Sequence, residues 1–197
     1  MKNREGRVKR ETKETKIDAS LNLDGSGKYS IDAPVGFLNH MLKLFAKHGL
    51  FDLEIKAKDK NQFDEHHIVE DIGIVLGQAF AKALGDKKGI NRYGFFILPM
   101  DEALATVAVD FGSRFSFKFD CQFTREKVGD LSAELVYDFW NAFAQDAKCN
   151  LFIKVENGRN DHHKIEAIFK ATARTIRMAC GIDNRLEGKP PSTKGVL

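Results

Sequence analysis

The motif His-His-x-x-Glu occurs twice in this chain, at residues 66–70 and again at residues 162–166. Four of the six histidines belong to these two copies. On a helix, a carboxylate three or four residues beyond an imidazole lies on the same face, which is how a helix presents ligands to a transition-metal ion. Adjacent histidines diverge by about 100° around a helix, so one pair serves two metals better than it chelates one. The motif therefore predicts a two-metal site.

A solvated helix face is the alternative interpretation of a single His-His pair. The two copies lie 96 residues apart in a chain of 197. Each has two imidazoles and one carboxylate at the same spacing, which favours metal ligation. Imidazole and carboxylate donors without thiolate suit manganese, iron or zinc, and the carboxylates favour manganese.

The two remaining histidines, His40 and His48, lie on one predicted helix, and their counterparts in the second half are Asp138 and Asp146. His40 and Asp138 therefore take equivalent places, and both residue types can ligate a hard or borderline metal. Asp138 can equally be an ordinary solvated acid, and His48 can be a helix C-terminal cation stabilised by the helix dipole.

Composition excludes several classes of protein. The formal charge is +3, and the 31 basic and 28 acidic residues are interleaved, so a nucleic-acid surface is not expected. The three cysteines form no Cys-x-x-Cys pair, which argues against a disulfide framework or a zinc ribbon and fits reduced thiols in a cytoplasm. Runs of about 18 apolar residues are lacking, so we expect neither a membrane span nor secretion.

The repeat extends beyond the motif, because Phe-Ala at 45–46 recurs at 143–144 and Leu-x-Ile-Lys at 53–56 recurs at 151–154. Apolar periodicity predicts the secondary structure of each half. In the first half we predict a hairpin of strands 17–23 and 29–31, a helix over 37–48, a strand over 51–57 and a helix over 66–84; in the second half, strands over 95–98, 103–109 and 115–119, a helix over 131–147, a strand over 149–155 and a helix over 162–180.

This order of elements predicts an α+β fold of two duplicated β-β-β-α-β-α halves, each a small mixed sheet with helices packed on one face. The first half is expected to cover residues 1–93 and the second residues 94–187. Residues 188–197 belong to neither half and are predicted to form an extended C-terminal tail.

Seven segments, two of which include the His-His-x-x-Glu motif, are longer than a ligand pair. They are His-Met-Leu at 40–42 with His-Gly-Leu-Phe-Asp at 48–52, His-His-x-x-Glu-Asp at 66–71, Gly-Ile-Asn-Arg-Tyr-Gly at 89–94, Pro-Met-Asp-Glu-Ala-Leu-Ala at 99–105, Asn-Asp-His-His-x-x-Glu-Ala-x-Phe-Lys-Ala at 160–171 and Ser-Thr-Lys-Gly-Val-Leu at 192–197. In this order, over nearly the whole chain, they resemble imidazoleglycerol-phosphate dehydratase of histidine biosynthesis. Motifs of this length are far more specific than an isolated ligand pair.

The resemblance implies a ribosomal protein S5 domain 2-like fold, two Mn²⁺ per active site, and trimers that assemble into a 24-subunit shell with active sites between subunits. The implied metal ligands are His40, His66, His67, Glu70, Asp138, His162, His163 and Glu166. A small-molecule phosphate substrate is implied to contact Glu14, His48, Arg92, Arg114, Lys170, Ser192, Thr193 and Lys194. Guanidinium groups and a lysine suit a phosphate dianion, so the tail is expected to contribute to the substrate site.

The implied reaction removes water from D-erythro-imidazoleglycerol phosphate, by way of a metal-bound imidazolate, and gives imidazoleacetol phosphate. We predict Glu14 as the base that abstracts the proton, with His48 as the alternative. Asp101 and Glu102 are further candidates, although a structural role at the start of the strand over 103–109 fits them as well.

The chain departs from the family pattern at a few positions. The pattern has His where Asp138 stands and Asp where Asn39 stands, and a Gly and a Ser are exchanged before Arg114. A carboxylate at 138 keeps a ligand but adds negative charge, which alters metal preference or affinity. These departures leave open a catalytically altered metal-binding homologue that forms the shell. A dinuclear metallohydrolase is a further alternative, since paired metals also activate water.

Overall fold

The first half of the chain folds as three strands, a helix, a strand and a second helix. A computed structural model describes residues 4–61 and 63–195 of the protein, so the last two residues of the predicted tail lie outside the described part. The elements of this half are β1 (Glu5–Glu11), β2 (Thr15–Asn22), β3 (Tyr29–Asp32), α1 (Gly36–Gly49), β4 (Asp52–Asp59) and α2 (His66–Leu84).

The second half repeats this order, with a small hairpin added before its first helix. Its elements are β5 (Tyr93–Met100), β6 (Ala103–Asp110), β7 (Ser116–Asp120), β8 (Lys127–Val128), β9 (Leu131–Ser132), α3 (Leu135–Ala147), β10 (Asn150–Asn157) and α4 (Asp161–Cys180). A short 3-10 turn, Asn184–Leu186, leads into the tail. The predicted α+β fold with two duplicated β-β-β-α-β-α halves is confirmed.

Both halves have the same mixed sheet. The strand orders are β1-β2-β4-β3 and β5-β6-β10-β7. In each, the second strand pairs antiparallel with the fourth, as Ala19 with Ile55 and Val107 with Ile153, and the third pairs with the fourth in parallel. The duplication is therefore visible at the level of residue register.

The predicted hairpin of strands 17–23 and 29–31 is wrong. β3 lies at the opposite edge of the sheet from β1 and pairs in parallel with β4, while β2 pairs with β1, a strand that the sequence did not reveal. β1 buries only Gly6 and Val8 among charged residues, so its hydrophobic signal is too weak to be read from periodicity.

The predicted helix over 131–147 begins too early. Leu131 and Ser132 pair with Lys127 and Val128 in the β8–β9 hairpin, and α3 starts only at Leu135. The apolar residues at 131 and 135 are four apart, which imitates helical spacing across a turn.

The helices cover one face of each sheet and pack on each other, α2 against α3 and α1 against α4. Large aromatic side chains fill the space between them: Phe45, Phe51, Phe80, Phe139, Trp140, Phe143 and Phe169. The opposite sheet faces differ, because the first half presents charged residues such as Arg7 and Glu54, whereas the second exposes Phe95, Ile97 and Phe152. None of the helices in the described part is long and apolar enough to cross a membrane.

Glycine allows the same close approach in both halves. A Cβ on Gly6 in β1 would collide with the carbonyl oxygen of Ala79 in α2, and a Cβ on Gly94 in β5 would collide with that of Thr175 in α4. The first helix of each half also ends alike, with Leu50 at φ 56° and Lys148 at φ 52° in the left-handed region. These repeated glycine contacts and helix ends place equivalent side chains at equivalent positions in the two halves.

Candidate active site

One imidazole–carboxylate cluster forms where α1 and α4 pack together. Glu166 Oε2 lies 3.1 Å from His162 Nε2, one turn earlier on α4, and 3.7 Å from His40 Nε2 on α1. One ligand atom from each residue lies within 4.8 Å of the other two. This group, called here the α1–α4 cluster, brings together three of the predicted metal ligands and can hold a metal ion.

Lys170 and His48 adjoin the α1–α4 cluster. Lys170 Nζ is 2.5 Å from Glu166 Oε1. Burial raises the pKa of Glu166, but the hydrogen bond and charge of Lys170 outweigh it, and the pKa lies below its usual value. Burial, with the positive charges of Lys170 and Arg174, lowers the pKa of His48. His48 is therefore neutral at pH 7 and can accept a proton.

The equivalent predicted ligands of the other helix pair, α2 and α3, are less closely gathered. His66 Nε2 lies 3.7 Å from Glu70 Oε2 at the start of α2. Asp138, in the first turn of α3, is half-buried and belongs to neither of the two groups of candidate ligands found among the described residues. His67 instead meets Glu14, whose Oε2 is 3.6 Å from His67 Nδ1.

The second of these two groups surrounds His163, the second histidine of α4. Glu102 Oε2 lies 2.7 Å from His163 Nδ1, and Asp101 Oδ2 lies 3.5 Å from His163 Nε2. The hydrogen bonds from His163 and from the backbone of Asn160 hold the pKa of Glu102 at about 2. From sequence alone, both acids are predicted only as alternative bases or structural residues, and their contact with His163 is not expected. The signal that sequence reasoning missed is that Glu102 stands 88 residues after Glu14, at the same place in the repeat.

An acid before each His-His pair holds the segment that joins β7 to α3. Glu65 Oε1 accepts hydrogen bonds from the backbone N–H and the hydroxyl of Ser132 and from Lys127. Asp161, which is fully buried, accepts from Thr124 and from the backbone of Arg125. The starts of α2 and α4 are thus both hydrogen-bonded to the segment between β7 and α3.

The predicted phosphate-binding residues line a single cavity of about 420 Å³, called here the anion pocket. Its walls are formed by Arg92, Tyr93, Gly112, Arg114, Pro191, Ser192, Thr193 and Lys194. The described part of the tail, up to residue 195, therefore reaches the pocket. Two guanidinium groups, an ammonium group and two hydroxyls suit an anion with several oxygens.

Asp110 fixes the side chain of Arg92, a contact that sequence reasoning did not find. Arg92 Nε lies 2.6 Å from Asp110 Oδ1 and Nη2 lies 3.1 Å from Oδ2, while Nη1 donates to the carbonyl oxygen of Pro191 at 3.1 Å. Asp110 raises the pKa of Arg92 further, through this hydrogen bonding above all. The guanidinium group thereby joins the end of β6 to the tail.

The fold and the site together define a duplicated α+β protein with imidazole–carboxylate clusters on its helices and a basic pocket at the ends of β5 and β6. The family model for imidazoleglycerol-phosphate dehydratase matches residues 33–176. The chain belongs to the imidazoleglycerol-phosphate dehydratase family. It is therefore a dehydratase, a hydro-lyase of histidine biosynthesis.

Relatives and solved structures agree over nearly the full length. Imidazoleglycerol-phosphate dehydratase from Rhodopirellula baltica is 52% identical over 194 residues, covering 98% of this chain and 96% of the relative. The protein of that name from Pseudomonas fluorescens strain Pf-5 is 50% identical, with 100% of both chains covered. Imidazoleglycerol-phosphate dehydratase from Staphylococcus aureus N315 superposes with a TM-score of 0.82 at 39% identity, covering 91% of this chain and 99% of that one. IGPD from Pyrococcus furiosus, in complex with (S)-C348, gives 0.82 at 32% identity, covering 96% and 100%.

Proposed function

We propose that the protein dehydrates D-erythro-imidazoleglycerol phosphate to imidazoleacetol phosphate with the help of two Mn²⁺ per active site. The observation that carries this proposal is the α1–α4 cluster, in which two imidazole nitrogens converge on one carboxylate oxygen of Glu166. Family membership supplies the class of reaction, and the cluster and the anion pocket supply groups suited to an imidazole-bearing phosphate ester.

The donors of these clusters fit manganese. They are imidazoles and carboxylates, and the three cysteines take no part in the candidate ligand groups among the described residues. We propose His40, His66, His67, Glu70, Asp138, His162, His163 and Glu166 as the ligands. When bound, the metal ions would act as Lewis acids that draw electron density from the substrate imidazole.

The anion pocket would hold the phosphate. Arg114 and Lys194 offer their donors directly, with the hydroxyls of Ser192 and Thr193 beside them. Arg92 has its Nε and one Nη2 hydrogen committed to Asp110 and one Nη1 hydrogen committed to Pro191, so its two remaining hydrogens would face the phosphate in a fixed direction. Orientation of the substrate therefore depends on the contact of the tail with this pocket.

Proton transfer requires a base beside the glycerol chain, and we propose Glu14. Its side chain is 46% exposed, and its carboxylate lies 3.6 Å from a proposed ligand, His67. The base would take the proton from the carbon next to the one that loses its hydroxyl, the hydroxyl would leave as water, and the resulting enol would tautomerise to the ketone. His48, neutral at pH 7, is the alternative base.

We propose that active sites form between subunits of a cytoplasmic homo-oligomer, as trimers that assemble into a 24-mer. The incomplete gathering of Asp138 with His66 and Glu70 supports this arrangement, because a partner subunit can complete the ligand set. The exposed Phe95, Ile97 and Phe152 on one sheet face offer apolar surface for such contacts.

The departure at Asn39 does not favour a catalytically altered homologue. Asn39 accepts a hydrogen bond from the backbone N–H of Ala33 at 3.1 Å and donates to its carbonyl oxygen at 2.7 Å. It therefore closes the loop before α1. A dinuclear metallohydrolase gains no support from the site or from the comparisons.

Metal replacement tests the proposed function. Purified protein would be stripped with a chelator and refilled with Mn²⁺ or Zn²⁺, and the formation of imidazoleacetol phosphate followed. We expect no turnover without metal and recovery with Mn²⁺. Failure to turn over with either metal, in a protein that remains folded, would contradict the proposal.

A further inference from the structure

Glu14 and Glu102 are equivalent residues of the duplicated fold. Each directly precedes the second strand of its half, β2 or β6, and they are 88 residues apart. Each also lies beside Nδ1 of the second histidine of its motif, Glu102 at 2.7 Å from His163 and Glu14 at 3.6 Å from His67. The duplication has thus placed one carboxylate beside each of these two imidazoles.

The two carboxylates differ in how firmly they are held. Glu102 Oε1 accepts hydrogen bonds from the backbone N–H groups of Arg159 at 3.1 Å and Asn160 at 2.7 Å, so that Oε2 is fixed against His163. Within residues 4–61 and 63–195, no backbone N–H donates to the carboxylate of Glu14. Glu102 is therefore bound to the loop that precedes α4, whereas Glu14 keeps its oxygens for other partners.

We propose that Glu102 is a positioning residue that fixes the tautomer of His163 and so directs Nε2 toward a metal ion. An ionised carboxylate only accepts hydrogen bonds, so the hydrogen in the 2.7 Å contact is on Nδ1 and the lone pair is on Nε2. Asp101 Oδ2 lies 3.5 Å from His163 Nε2, the nitrogen that would face the metal ion. An outer carboxylate of this kind orients a ligating imidazole and raises its basicity.

This role rests on the proposed function, because it requires a metal ion at His163. The proposal also gives the two duplicated carboxylates different roles. Glu102 is used to orient a ligand, and Glu14, which is not fixed by the backbone, is available for proton transfer.

Glu102→Gln tests the role with little change in shape. If the Gln carbonyl oxygen keeps the bonds from Arg159 and Asn160, its NH₂ group faces His163 Nδ1 and donates to it. That reverses the tautomer and puts a hydrogen on Nε2. We expect the affinity for one of two Mn²⁺ ions to fall about 10–100-fold, while the other ion binds as in the wild type. Free Mn²⁺ would be measured by electron paramagnetic resonance during titration of the stripped protein.

Two variants serve as controls. Glu65→Gln loosens a loop beside the other His-His pair without a contact to an imidazole in the structure, and is expected to bind both ions with wild-type affinity. Glu102→Ala removes the same contact to His163 and is expected to lower the affinity for the same Mn²⁺ ion. Melting temperatures of the stripped proteins would show that all three variants fold.

The outcomes are distinct. Wild-type affinity for both ions in Glu102→Gln, in a protein that turns over normally, would overturn the positioning role and leave the proposed function standing. If Glu65→Gln lowered the affinity for Mn²⁺ as much as Glu102→Gln, the loss would reflect loop stability alone, and the positioning role would again be overturned. A wild-type protein that binds no Mn²⁺ at all would instead overturn the proposed function.

Discussion

The two copies of the proposed ligand set are built with different degrees of completeness. On α1 and α4, His40, His162 and Glu166 place one ligand atom each within 4.8 Å. On α3 and α2, Asp138 holds the place of His40, yet the described contacts join only His66 and Glu70, at 3.7 Å. A single chain thus gathers one ligand set and leaves the other partly open.

Local surroundings explain the difference. The side chain of Glu166 is 9% exposed and is paired with Lys170, whereas that of Glu70 is 43% exposed. The residue 96 positions before Lys170 is Ile74, so the first copy has no cation at that place. The two halves share their backbone and their His-His pairs, and the residues around these pairs determine which carboxylate is ion-paired within the chain.

Helix packing differs in the opposite direction. Gly73 and Gly77 let α2 approach the backbone of α3, where an added Cβ would lie 2.5 Å from Phe139 O and 2.6 Å from Phe143 O. The corresponding residues of α4 are Phe169 and Ala173. The α2–α3 contact is therefore closer than its counterpart, although its ligands are less gathered, so tight helix packing alone does not assemble a site.

The largest effect is expected from Glu166→Gln. This change removes the charge from the oxygen that two imidazoles share, so the affinity for one Mn²⁺ should fall by at least about 100-fold and turnover should be abolished. We expect assembly to weaken too, because the proposed ligand Glu166 would serve both metal binding and assembly. Glu70→Gln should cost less, since its carboxylate is more exposed.

Sedimentation and turnover of the two variants would be measured together. Full activity and intact assembly in Glu166→Gln would contradict the importance of the α1–α4 cluster.

Asp138→Ala tests whether the symmetric position is a ligand. As a ligand, Asp138 should account for about 10–100-fold in the affinity for the second ion. As an acid in the first turn of a helix, it would contribute only about 0.3–1 kcal/mol to stability through the dipole. Manganese titration alongside thermal melting separates the two roles, with Asp138→His as the variant that keeps a ligand. Unchanged affinity in Asp138→Ala would remove it from the ligand set.

A matched pair of arginines probes the anion pocket. Arg92 and Arg4 are equivalent positions, 88 residues apart, and each forms a two-point contact with an aspartate, Asp110 or Asp24. Because only Arg92 lines the anion pocket with Arg114, Arg92→Lys should raise KM about 10-fold, the loss expected for a charge-assisted hydrogen bond of about 1.5 kcal/mol. Arg4→Lys should leave KM within about 2-fold. Equal effects on KM in steady-state assays would show that the pocket is not the phosphate site.

The last prediction concerns acid stability and not metal or substrate binding. Burial raises the pKa of Asp161, but Lys164 and Thr124 outweigh it and bring it to about 2. Because this value lies below that of an unfolded aspartate, about 3.9, the stabilising contribution is complete above about pH 5 and is lost as the pH falls toward 2. Asp161→Asn should therefore lose about 1–3 kcal/mol near pH 7 and show a flatter decline in acid.

Urea unfolding between pH 3 and pH 7 would measure this, with Glu65→Gln as the counterpart in the first half. Glu65 is likewise held at a pKa of about 2, since the hydrogen bonds from Ser132 and Lys127 overcome its burial. An acid decline in Asp161→Asn as steep as in the wild type would contradict the assignment.

The parts of the fold with long periodic signals could be predicted from sequence. The helix over 66–84 and the strand over 103–109 match α2 and β6 closely, because a long apolar face identifies them. β1 could not be found, because it is an edge strand in which charged residues surround Val8, and such a segment shows little hydrophobic periodicity. The partner of β3 could not be found either, because pairing with β4 is set by the fold and not by the turn that precedes it.

For the candidate site, residue types were predictable and contacts were not. The repeated motif drew attention to the histidines, and the structure then brought His40 to His162 and Glu166. The contact of Glu102 with His163 depends on how the turn between β5 and β6 meets the start of α4, which no local pattern encodes. Alignment of the two halves on Gly6 and Gly94 gives the 88-residue offset that would have paired Glu14 with Glu102.

Stepwise refilling of the stripped protein with Mn²⁺ tests most directly the claim that both duplicated ligand sets hold metal. We predict that two ions bind per chain, and that turnover of imidazoleglycerol phosphate rises only as the second ion binds, because both ligand sets serve one substrate. Full turnover with one ion per chain, or in the metal-free protein, would contradict the claim.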